Sequence, residues 1–441
     1  MGAGGVDGGD RDAAASRIGG TPERQVPDHR DEAAVRDELT RAFTVCSSCR
    51  QCVDLCAAFP RLFERLEALG TSDPGMLTPL EQDLVVDACH QCDRCTAGCP
   101  FAPDRHEDAV DVAGLMTLAK AMQRACGHRS VRDRLADHLL DPAGRVGATA
   151  GRALAGAAGV VAVGLPRRRN RQSFSAWFGS RPTPTRPAGA RPVLLVPTCT
   201  IEHHDPDLGA AAVEVVEAAA GAVELSAAGC CGAYWLQVGD LDRYVPMAEA
   251  FTEQLADRLR SAGASLVVTH PTCLNAIVRR SPELVRSTLR SDAEFIAGAA
   301  QGVAEFVLEG DPSPVSAALP GRIVFSASCH GTVTGDSRAA VELLRRAGAD
   351  VSVVEACQGV GGTWGARVGN SAVAGELGAR SDRTCSDAIG AGRDAQLVGD
   401  CPEANDAVAR RTGGRPVHAV TLLARAVGEG WNIAPESSPP G

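Results

Sequence analysis

At 441 residues the chain is long enough for two or three domains, each with its own core, so it is no small scaffold that depends on cross-links. The net charge of -10 argues against nucleic acid as a partner, and Lys120, the only lysine, reads as compositional bias with no function attached. Seventeen cysteines is a high and odd number, which excludes complete internal pairing; with no basic, apolar leader at the start, this points to a reducing cytoplasm where clustered cysteines bind metal.

Residues 1–36 are rich in Gly, Asp and Arg without apolar periodicity and read as a disordered tail. An ordered block at 37–128 follows, with a helical pattern at 111–126. It carries "CSSCRQCVDLC" (46–56) and "CHQCDRCTAGCP" (89–100). The cysteines are Cys46, Cys49, Cys52 and Cys56, then Cys89, Cys92, Cys95 and Cys99, the last followed by Pro100. This is the spacing that bacterial ferredoxins use to hold [4Fe-4S] clusters. Two intervening residues make a turn that aims successive thiolates at corners of one cube, and four thiolates match four irons. Structural zinc and disulfides are the weaker alternatives, since zinc sites present two Cys-x-x-Cys pairs and not a run of three cysteines. Cys56 departs from the pattern, because its proline comes only at Pro60; this loosens the turn and removes no ligand. Resemblance to two-cluster ferredoxins implies one cluster on Cys46, Cys49, Cys52 and Cys99, and the other on Cys89, Cys92, Cys95 and Cys56.

Residues 129–190 read as a mixed linker ending in "SRPTPTRPAGARP". Within it, the apolar stretch 146–166 contains Arg152 and much Ala and Gly, which disfavours a spanning helix. A packed helix is preferred, or one lying on a membrane surface with Arg167, Arg168, Arg169 and Arg171 at its end.

From Arg191 onward short apolar runs alternate with amphipathic helical stretches, which predicts an α/β fold with mainly parallel sheets. The runs at 192–199, 264–273, 321–330 and 395–401 each end in, or within a residue of, a cysteine, where ligands gather beyond strand ends. "VPTC", "GCCGAYW" and "THPTC" are echoed by "SASC", "ACQGVGGTWG" and "GDCPEA", so the region divides into related halves at 191–315 and 316–430, with a tail at 431–441. "GVGGTWG" matches a nucleotide loop only superficially, and no Rossmann, P-loop or flavin motif is found.

"TCTIEHHDPDLG", "AAGCCGAYWLQVGDL" and "VVTHPTC" resemble the cysteine-rich CCG domain found in heterodisulfide reductases, in glycolate oxidase iron-sulfur subunits and in the iron-sulfur subunit of anaerobic glycerol-3-phosphate dehydrogenases. A two-cluster ferredoxin domain followed by two CCG domains most resembles the last of these. The resemblance implies Cys199, Cys230, Cys231 and Cys273 as a metal set in the first half, with His270 replacing a cysteine. In the second, degenerate half it implies Cys329, Cys357 and Cys401, with Gln358 and Ala404 where cysteines belong. The first set suits a further iron-sulfur cluster or zinc; the second needs help from His330, Cys385 or an outside ligand to hold a cluster, or binds no metal, or binds zinc. Cys126 and Cys385 match no motif and read as buried thiols.

Two [4Fe-4S] clusters without a flavin or nicotinamide site suggest an electron-transfer subunit. The resemblance implies a flavoprotein dehydrogenase partner, oxidising glycerol 3-phosphate, glycolate or a similar substrate. Electrons would then pass toward quinone or another acceptor, with the chain cytoplasmic or peripheral at the inner face of the cell membrane. The alternatives are a heterodisulfide or disulfide reductase-type catalytic subunit using the first CCG site, and a zinc-binding redox sensor or scaffold.

Overall fold

In the computed structural model of the chain, residues 28–427 are described apart from 104, 107–108, 142–171, 183–190, 311, 314, 316–318, 320 and 391–393. Most of the expected N-terminal tail, the 146–166 stretch with its arginines, the proline-rich linker end and the C-terminal tail lie outside the described residues.

The N-terminal block is helical. Helix α1 (Glu32–Cys49) starts inside the expected tail, because Asp31 caps it by accepting the Ala34 N–H at 3.1 Å. Its buried face is Val35, Leu39, Ala42 and Phe43, at helical spacing. Helices α2 (Ala58–Ala68) and α3 (Pro79–Ala88) pack on each other, α3 opening with a Thr78–Glu81 capping box. Helix α4 (Val112–Ala125) is buried on almost every side and is the centre of this core. The expected linker begins with α5 (Val131–Leu139) and includes α6 (Phe174–Ser180), whose Phe174 is buried against the first half.

The remainder has the mixed α/β class that the alternation predicted. One sheet comprises β1 (Val193–Val196), β2 (Val223–Leu225), β3 (Ser265–Val268) and β4 (Ala300–Gly302) in the order β2-β1-β3-β4. The other comprises β5 (Arg322–Ser326), β6 (Asp350–Val354), β7 (Ala395–Gly399) and β8 (Val417–His418) in the matching order β6-β5-β7-β8. All pairings are parallel, for example Leu195 with Val267 and Phe325 with Val398.

In the first half β1 is followed by α7 (Cys199–His203) and α8 (Pro206–Ala220), β2 by α9 (Ala233–Gln237) and α10 (Leu241–Ala262), and β3 by α11 (Pro271–Asn275) and α12 (Arg290–Ala299). Helix α13 (Val303–Glu309) closes it. In the second half β5 leads into α14 (Cys329–Thr334) and α15 (Asp336–Arg346), β6 into α16 (Ser371–Ile389), β7 into α17 (Pro402–Thr412), and α18 (Ala419–Val427) closes it. Helix α8 packs on α18, and α13 on α15, so each half lends its closing helix to the other. Val193, Leu195, Phe325, Leu343 and Leu423 share the resulting core, whereas Leu194 and Val196 face a separate core under α9, α10 and α12. Among the described residues no helix is long and apolar enough to cross a membrane.

Candidate metal centres

The N-terminal cysteines surround two adjoining cavities. Cys46, Cys49, Cys52 and Cys99 line one, walled by Val45, Phe59, Phe101 and Val112. Cys56, Cys89, Cys92 and Cys95 line the other, with Cys95 bordering both. The chain reaches these positions through backbone that side chains rarely adopt: Arg50, Gln91 and Asp93, each between two cysteines of a run, have φ of 58°, 53° and 57°. The Gln91 N–H donates to Cys89 Sγ at 3.4 Å. Burial, reinforced by neighbouring thiols, pushes Cys46 and Cys56 up to about 12 and Cys52 to about 11. Burial likewise raises Cys89, Cys95 and Cys99. Thiols so placed give up their protons to a strongly cationic centre, and the donor sets fit thiolate-bound metal.

The lone lysine has a place that composition did not suggest. Lys120 is buried and donates from Nζ to the Cys89 carbonyl at 2.5 Å, setting a cation beside the second cavity.

The first half gathers four cysteines at the carboxyl ends of its strands. Cys199 follows β1 and Cys273 follows β3, which flank the point where strand order reverses; Cys230 and Cys231 follow β2. Cys199 Sγ lies 3.5 Å from Cys230 Sγ, and Cys231 and Cys273 belong to one packed core beside them. The Gly232 N–H donates to Cys230 Sγ at 3.5 Å, and the Cys199 and Cys231 thiols draw the Cys230 pKa down to about 3. Gly232 is left-handed, with φ 77°.

His270 turns away from that set. Its Nδ1 accepts the Thr272 N–H at 3.2 Å, capping α11, and its Nε2 lies 2.7 Å from Glu403 Oε2 in the other half. Cys401 donates to the same carboxylate oxygen at 3.4 Å, so His270, Cys401 and Glu403 form one group across the halves.

Cys329 and Cys357 instead meet the N-terminal block. His90 Nε2 lies 3.5 Å from Cys357 Sγ, and the ligand atoms of His90, Cys92 and Cys329 lie within 4.8 Å of one another. The Gly359 N–H donates to Cys357 Sγ at 3.4 Å, repeating the bond at Cys230. Gln358, in the place of a cysteine, donates to Ser326 and Ser381 and accepts from Arg411. His330 is occupied on both nitrogens, by Thr272 Oγ1 at 3.0 Å and the Gln91 carbonyl at 2.9 Å. Cys385 sits in a small core with Val324 and Val354, apart from the metal-type groups.

"GVGGTWG" packs closely against the rest of the chain. A Cβ on Gly361 would come within 2.5 Å of His90 Cβ, and the Trp364 ring lies 5.2 Å from the His90 ring, tilted by 42°, while donating to the Asp87 carbonyl. Sequence reading missed His90 and Glu403, though each stands inside a cysteine motif, "CHQC" and "CPEA".

No family model matches the chain. A curated relative, the citrate utilization protein B of Escherichia coli, is 38% identical over 79 residues. That stretch covers 18% of this chain and 18% of the relative, so the likeness is partial.

Proposed function

We propose that the chain is an iron-sulfur electron-transfer subunit that relays electrons from a flavoprotein dehydrogenase toward quinone or another acceptor. The observation that carries this reading is the gathering of eight cysteines around two adjoining cavities, with Cys95 bordering both. When bound, a [4Fe-4S] cluster in each cavity supplies one-electron redox chemistry. The chain's own residues would hold the clusters through Cys46, Cys49, Cys52 and Cys99, and through Cys56, Cys89, Cys92 and Cys95. Apolar walls keep water back, the Gln91 N–H bonds a sulfur, and Lys120 offsets thiolate charge. The donor's substrate is proposed as glycerol 3-phosphate, glycolate or a similar compound. The relative's name concerns citrate utilization and extends that class to organic acids.

The gathering of Cys199, Cys230, Cys231 and Cys273 beyond the strand ends favours a second reading, disulfide reduction at a metal centre in the first half. Iron and sulfide analysis of anaerobically purified protein, with EPR during stepwise reduction, separates the two. About eight irons and two interacting [4Fe-4S] signals support the relay. Iron beyond that, with a signal lost in Cys230→Ser and turnover of a disulfide by an artificial reductant, supports the reductase; absence of iron sinks both.

A further inference from the structure

We propose that His90, Cys329 and Cys357 bind a single zinc ion, with the Cys92 thiolate as fourth ligand, shared with the cavity of Cys56, Cys89 and Cys95. The shared role of Cys92 rests on the cluster reading above; the other three ligands do not.

Four donors from three distant segments converge here. Cys329 begins the helix after β5, Cys357 follows β6, and His90 and Cys92 follow α3. The ligand atoms of His90, Cys92 and Cys329 lie within 4.8 Å of one another, and Cys357 Sγ lies 3.5 Å from His90 Nε2. In a tetrahedral site with Zn–N of about 2.0–2.1 Å and Zn–S of about 2.3 Å, neighbouring ligand atoms stand roughly 3.3–3.8 Å apart. The 3.5 Å between His90 Nε2 and Cys357 Sγ falls in that range. Three thiolates and one imidazole are a zinc-type donor set.

The surroundings hold the donors in place. His90 is 4% exposed, Cys92 8% and Cys357 6%. Trp364 packs on the His90 ring, Gly361 lets its loop close over that residue, and the Gly359 N–H supports the Cys357 sulfur. His90 Nε2 faces sulfur, 3.5 Å from Cys357 Sγ, while Nδ1 is buried and has no partner among the described residues. The site also gives a reason for what the degenerate half retains. Cys329 and Cys357 remain because their partners come from the N-terminal block, while Gln358 and Ala404 stand where further cysteines of that half would be needed.

The test uses the full-length chain purified without oxygen, its zinc measured and the zinc K-edge recorded. The expected result is about one zinc per chain with a shell of three sulfurs and one imidazole nitrogen. Cys329→Ser and Cys357→Ser each lose it and keep the iron of the N-terminal block, whereas Cys385→Ser loses nothing. Zinc absent from the wild type, unchanged in both variants, or bound without sulfur overturns the proposal. Should a variant fail to fold, the wild-type zinc shell decides. Zinc here without iron elsewhere sinks the relay and leaves this site standing; two clusters with no zinc does the reverse.

Discussion

Arg280 is buried among Asp93, Asp111 and Glu283, at 3.3, 3.0 and 2.8 Å. Burial opposes its charge, but Asp93 and its companions overcome this and hold it protonated. Asp93 is the left-handed residue between Cys92 and Cys95, and Asn275 also donates to it at 2.9 Å. The arginine thus ties the first half to a strained cysteine loop. Removing one partner of a buried ion pair leaves uncompensated charge, so Arg280→Met is expected to cost about 3–5 kcal/mol in denaturant unfolding. A loss below about 1 kcal/mol would mean that water reaches Asp93 and that the pair is effectively a surface one. The cysteines of this loop are plain in the sequence; Arg280, 187 residues from Asp93, is not, because nothing local to "VRRSP" marks its partner.

At the scale of elements, the four apolar runs recognised in the sequence are β1, β3, β5 and β7, all central strands. The unrecognised β2, β4, β6 and β8 are all edges. Central strands are covered on both faces and read as continuous apolar runs; edges are shorter or more polar, such as "VEL" and "AQG". Helix α13 shows the same dependence on distant partners. Its Glu305 N–H donates to Asp336 Oδ1 of the other half at 3.0 Å. Burial, with each half's acids close by, raises Glu305 to about 7 and Asp336 to about 6. Because these folded values lie above the ordinary carboxylate range of about 3.9–4.3, the folded chain holds the protons more tightly than the unfolded chain. Their stabilisation is therefore complete at low pH and is lost as pH rises through about 6 to 7. Thermal melts between these limits should show Tm falling with rising pH, and Glu305→Gln should flatten that slope. An unchanged slope in the variant would place the titration elsewhere.

At the scale of the whole molecule, the two halves are not independent. Helices α8, α13, α15 and α18 form one packed layer whose apolar side chains, Val216, Val307, Leu343 and Leu423 among them, are fully or almost fully buried. Each such side chain contributes about 1.5–3 kcal/mol when buried, and a chain ending at residue 315 would leave the faces of α8 and α13 uncovered. It is expected to self-associate in sedimentation experiments, whereas a stable monomer of that length would show that the shared core is dispensable. The duplication was legible because strand, cysteine and glycine recur in the same order; the exchange of closing helices was not, because amphipathic helices do not name the surface they cover.

What the sequence by itself determined is local: which residues turn back within a few positions, hence the cysteine runs, the central strands and the repeated half. Tertiary structure alone decided which donors share a site. It gathered the N-terminal cysteines around two cavities, joined His270 and Cys401 to Glu403, and brought His90 and Cys92 to Cys329 and Cys357. The reason is physical: a turn of two residues is fixed by backbone geometry, but contacts across more than 200 residues are fixed only when sheets and helices bury their faces together.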